Sequence, residues 1–202
     1  MPARKAAGHG ISLRTLDLLR TLSTEEAQII EGLSKYRIAI GPDHRYWRNT
    51  VGLLLFPEIR LETDPQEAPE RISVRGNEVI SKDGIPADNR CRDLIGNPFA
   101  HVLEPIGIYL SNSRLYSFAL NWTSKPLPVQ VGDSSFLIHG LPGRSEDDFS
   151  LVRFGSGIGF SQIGWEVFCL AKSEPSPDFL ALFREKLEQR GLRLEPLRSS
   201  PE

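Results

Sequence analysis

Residue types able to do chemistry are spread thinly along this chain. The four histidines, His9, His44, His101 and His139, stand far apart, and no two share a spacing that would put paired imidazoles on one helix face. Metal ligation and paired acid–base work need such convergence, so scattered histidines read as structural. Cys91 and Cys169 have no metal-ligand spacing and read as reduced, partly buried thiols. Ser111-Asn112-Ser113 and Ser134-Ser135 sit in no nucleophile elbow, and their hydroxyls are assigned to turns.

Phe154-Gly155-Ser156-Gly157-Ile158-Gly159 has the glycine content of a phosphate loop, but neither the P-loop lysine nor the full dinucleotide spacing. It is expected inside a wing hairpin, where glycines make the tight turn. Glu146-Asp147-Asp148 are adjacent acids that cannot all point at one cation, which makes them a solvated turn. No catalytic residue, cofactor or metal site emerges, and the expected protein is non-enzymatic.

Two stretches offer recognition instead. His44-Arg45-Tyr46-Trp47-Arg48 follows Gly41-Pro42 and joins two aromatics to two arginines, a composition enriched in binding hot spots. Arg45, Tyr46, Trp47 and Arg48 are therefore the candidate protein-binding residues. The plainer reading puts Trp47 in the core beside Val51 while the arginines reach outward. The alternative partner is DNA, with Arg90, Arg92 and His101 on a helix entering the major groove. Against it, 24 Lys and Arg face 26 Asp and Glu, a net charge of −2, so no global positive field steers the chain toward phosphates.

The elements that must position these residues are legible mainly at the two ends. Ser12 caps a first helix on which Leu13, Leu16, Leu19 and Leu22 recur every three residues as an apolar stripe. Ser23 and Glu26 have capping-box spacing and start a second helix, with Ala27, Ile30 and Leu33 inward, fading near Tyr36. The pattern weakens from Arg37 to Arg90. Within it, 62–70 reads as an exposed loop, and Arg71 to Ile80 as a small hairpin about Gly76-Asn77. Cys91 to Leu103 is a candidate helix interrupted by Gly96 and Pro98. Tyr109 to Trp122, Val129 to His139 and Phe149 to Phe154 read as strands.

The last helix is the best-marked element. Ser176 is its cap, Pro177 and Asp178 lie in its first turn, Phe179, Leu182, Phe183 and Leu187 share one face, and Gly191 lies past its end. Leu192 to Leu197 adds a final strand. The N-terminal pair is expected to pack on this C-terminal helix. The sum is one compact α+β domain over 1–202, winged-helix-like, with a small antiparallel sheet and loose ends at 1–10 and 198–202. No apolar run approaches the roughly 20 residues of a membrane helix and no secretory signal opens the chain, so the expectation is a cytoplasmic protein.

Four stretches give the chain a resemblance. They are Ser12 to Tyr36 with its Leu-Ser-x-x-Glu-Ala core, Leu103 to Ile108, Phe160 to Phe168, and Phe179 to Leu194. Together they resemble the C-terminal region of bacterial families of unknown function related to the Abi-alpha group of phage abortive-infection proteins. The segment from Pro57 to Arg90 fits no pattern of those families. The resemblance implies a winged-helix-like fold and a phage-defence setting, with action through a protein partner or self-assembly. It implies no catalytic residues.

Overall fold

The computed structural model describes residues 11–41, 51–57, 59–62, 73–75, 78–80, 90–95, 102–109, 116–123, 125–140 and 149–197. The chain is an α+β protein built on an eight-stranded, wholly antiparallel sheet. Its strands are β1 (Arg37–Ile40), β2 (Val51–Phe56), β3 (Arg60–Glu62), β6 (Tyr116–Thr123), β7 (Leu127–Val131), β8 (Ser134–His139), β9 (Phe149–Gly159) and β10 (Arg193–Pro196). They run β10-β8-β7-β1-β2-β9, with β3 continuing the line of β2 along β9 and β6 pairing with β9. The small hairpin expected about Gly76-Asn77 forms as β4 (Ser73–Arg75) and β5 (Glu78–Ile80).

The sheet is larger than the sequence pattern indicated, because β1 to β3 come from the stretch where periodicity weakens. That weakness has a physical cause. β1 is buried at all four positions and Val51 to Leu55 of β2 are buried throughout. A strand covered on both faces loses the apolar–polar alternation by which strands are recognised. The expected single strand Val129 to His139 is two, since Gly132 at φ +53 begins a tight turn between β7 and β8.

The glycine run also departs from expectation. It is not a wing turn but the second half of β9, between β2 and β6. A Cβ on Gly157 would lie 2.0 Å from the Leu53 carbonyl oxygen, and one on Gly52 equally close to that of Ile158. These glycines let two backbones approach in the middle of the sheet.

Helices α1 (Leu13–Thr21) and α2 (Thr24–Ser34) form the expected corner, with the full Ser23–Glu26 capping box. Both pack on α4 (Gln162–Leu170), not on the C-terminal helix α5 (Pro177–Glu188). The short α3 (Arg90–Ile95) packs on β2 and α5, and α5 on β10. On α5 the expected face, Phe179, Leu182, Phe183 and Leu187, is buried, and Gly191 adopts φ +73 beyond its end. On α2, Ile30 and Leu33 are buried, whereas Ala27 faces outward. Among the described residues no helix is long and apolar enough to cross a membrane.

Candidate interaction surface

Helix α4 is fixed at its start by a serine cap and at its end by a buried cation, and a carboxylate between them fixes what α1 presents. At its start, Ser161 caps α4 by accepting from the Gly164 amide at 3.0 Å, while its own hydroxyl donates to the Gly107 carbonyl at 2.7 Å. Gly164 has no room for a side chain, since a Cβ there would come within 2.1 Å of the Ile108 carbonyl oxygen. The 102–109 segment thus lies directly against the first turn of α4.

One turn further on, Glu166 receives α1. Its Oε2 accepts from the Ser12 amide at 2.9 Å and from the Thr15 hydroxyl at 2.6 Å, and its Oε1 accepts from Gln162 at 3.1 Å. Partial burial alone would raise the Glu166 pKa, but the hydrogen bonds from Thr15, Ser12 and Gln162 outweigh it and hold the carboxyl below its ordinary range. Thr15 is fully buried, an unusual place for a hydroxyl unless it is bonded.

At its other end, α4 is closed by Arg37 of β1. The guanidinium, 1 % exposed, donates to the Phe168 carbonyl at 3.0 Å, pairs with Asp133 in the β7–β8 turn, and lies 6.0 Å from the Trp165 ring centre. Asp133 in turn accepts from the Ser173 amide. A buried cation thus satisfies the C-terminal carbonyl side of α4, where the helix dipole favours positive charge. Cys169 is half-buried near this pair, and burial pushes its thiol up to about 11, which leaves it protonated and unreactive at neutral pH.

With α1 held through Thr15, its orientation follows. At about 100° per residue, Leu13 stands about 160° from Thr15 and Leu16 about 100° from it. Leu18, Leu19 and Leu22 turn inward and pack against the core, but Leu13 is 80 % exposed and Leu16 40 %. Half of the expected inward stripe therefore faces solvent, beside Ile11, which is 41 % exposed, and the exposed Asp17–Arg20 pair at 3.8 Å.

The other sequence-derived candidates fare differently. Arg45, Tyr46, Trp47 and Arg48 lie outside the described residues, as does His101. Arg90 is turned toward α5, where it makes two bonds to the Glu185 carboxylate at 2.8 and 2.9 Å; Arg92 is half-buried. Beside that ion pair is a cavity of about 520 Å3 lined by Arg90, Asp93, Asp178, Ala181, Leu182 and Glu185. Among the described residues its lining holds no histidine, thiol or hydroxyl; its titratable acids are Asp93, Asp178 and Glu185. No cluster of His, Cys, Asp and Glu able to hold a metal ion occurs among the described residues.

Sequence reading missed Thr15, Glu166, Arg37 and Asp133. The available signals were weak: a threonine on the inward side of a leucine-rich helix, and an arginine opening the apolar Ile38-Ala39-Ile40. Comparison of the chain with protein-family models, with curated proteins and with solved structures finds no match.

Proposed function

We propose that the chain is a non-enzymatic protein-interaction module of a bacterial cytoplasmic protein, which makes its contact through the outer face of α1. The observation that carries this reading is Leu13, 80 % exposed on a helix whose opposite face is fixed by the bond from buried Thr15 to half-buried Glu166. A leucine held rigidly in water offers a partner apolar area with little ordering cost. The phage-defence setting rests on the resemblance of the four stretches alone.

The DNA-binding alternative draws less support from the geometry. Arg90 engages Glu185 on both guanidinium nitrogens, and the chain's net charge is −2. Specific binders depend on several free cations reaching phosphates.

A photo-crosslinking residue placed at Leu13 in living cells, compared with the same residue at Glu25 and Arg184, tests the proposal. The expected result is discrete protein adducts from position 13 only, abolished by Leu16→Asp. Equal labelling from all three positions, or none from position 13, refutes it.

A further inference from the structure

Helix α1 is held to the fold more lightly than α2, α4 and α5. Its one fully buried residue is Thr15, a polar one, whereas α2 buries Ile30, Leu33 and Ser34, and α4 and α5 bury four residues each. Leu18, Leu19 and Leu22 pack on the core but stay partly exposed. Among the described residues, the polar ties of α1 to the rest of the fold go to one carboxylate, Glu166, from the Ser12 amide and the Thr15 hydroxyl.

The junction with α2 has the form of a hinge. Leu22 (φ −60, ψ 129) and Ser23 (φ −69, ψ 160) are both extended, which breaks the helical hydrogen-bond ladder between the two helices. The start of α2 is complete without α1: the Ser23 hydroxyl accepts from the Glu26 amide at 3.2 Å, and the Ser23 amide donates to the Glu26 carboxylate at 2.7 Å. A helix capped by its own residues does not depend on the one before it, so α1 can leave without unwinding α2.

We infer that α1 is a hinged latch, which undocks from α4 about Leu22–Ser23 while α2, α4, α5 and the sheet stay folded, and which presents Leu13 only when docked. The inference deepens the α1 contact reading by naming its regulation; the presentation half rests on that reading and the hinge half does not. Nine residues are too few for a helix to persist in water without packing, so undocking and unwinding are one event. Leu13 then passes from a fixed helix face to a disordered segment, and a partner that needs the fixed face must meet the ordering cost itself. A partner bound to docked α1 holds the latch closed for the same reason.

Amide hydrogen exchange on the full chain reads the hinge. The amides of Leu16 to Leu22 are expected to share one opening and to exchange at least about tenfold faster than the helical amides of α2, α4 and α5. Two variants separate this opening from global unfolding. Phe183→Leu weakens the core beneath α5 and should speed exchange in α2, α4 and α5 while leaving α1 unchanged, because latch opening does not disturb that core. Thr15→Val, which removes a bond to the anchor, should speed exchange in α1 at least about tenfold. The photo-crosslinking residue at position 13 reads the presentation half: Glu166→Ala takes the anchor away and should abolish its adducts.

Amides of α1 that exchange as slowly as those of α4, or that respond to Phe183→Leu as strongly, would show that α1 opens only with the whole fold, which overturns the hinge. A gradient of exchange from one end of α1 is fraying of a docked helix and overturns it too. Full adduct yield in Glu166→Ala, with α1 amides unprotected, overturns the presentation half. No adduct from position 13 in the parent removes the α1 contact reading and the presentation half with it, and the hinge is then decided by exchange alone.

Discussion

Thr15→Val isolates the bond that orients α1. Valine matches threonine in shape and fills the same buried site, so packing is preserved and the hydroxyl alone is lost. The lost bond is the 2.6 Å donation to Glu166 Oε2, with the 2.9 Å contact to the Ser12 hydroxyl. Glu166 keeps the Ser12 amide and Gln162, so the carboxylate is not stranded. A hydrogen bond to a charged acceptor contributes about 1.5–3 kcal/mol, and about 2 kcal/mol is the expected loss at neutral pH. For a chain of this size that corresponds to a fall in Tm of about 4–8 °C.

The loss should depend on pH in a fixed direction. The folded carboxyl of Glu166 titrates below its ordinary value of 4.5, so the unfolded state binds more protons in between. The stability it contributes is complete above 4.5 and disappears as pH falls through the folded pKa. The variant's deficit should therefore be largest at pH 7. As pH falls through the folded pKa of Glu166 it should shrink toward that of a neutral hydrogen bond, about 1 kcal/mol. Paired thermal melts of parent and variant over a descending pH series decide it. A deficit that does not shrink as pH falls, or is absent at pH 7, refutes the assignment of Glu166 as the charged anchor of α1.

Three further outcomes follow from the geometry. Gly164→Ala should cost more than about 3 kcal/mol, since the added methyl meets a backbone oxygen at 2.1 Å, whereas Gly32→Ala in α2, with nothing within 4 Å, should stabilise by about 1 kcal/mol; urea melts of both variants test the contrast. Arg37→Met should destabilise by about 3 kcal/mol or more in the same assay, because it leaves Asp133 and the α4 carbonyls without their cation. Cys169 should react with a thiol reagent at pH 8 far more slowly in the folded chain than in urea, because its thiol titrates near 11; equal rates would contradict its burial.

The sequence by itself determined what rests on near neighbours. Ser12, Ser23, Ser161 and Ser176 all cap helices, and each does so through residues no more than three positions away. The face of α5 and the β4–β5 hairpin were legible for the same reason: periodicity and turn chemistry are local. The N-terminal leucines mark where that local information ends. A repeat of three drifts by about 60° per step around a helix, so Leu13 to Leu22 spread over half the circumference and cannot all be buried on one side. Which half turns inward was decided by Glu166, 151 residues from Thr15 in the chain.

The same holds for the sheet. The run Phe154 to Gly159 has the composition of a turn, and only the passage of β2 at backbone-contact distance made it the second half of a strand. Arg37 reads as a polar interruption until the end of α4 and Asp133 supply its partners. Strand order, the exposed leucines and the pairing of β6 with β9 depend on contacts between distant segments. The free energy of those pairings comes from burial across the whole sheet, which no local pattern encodes.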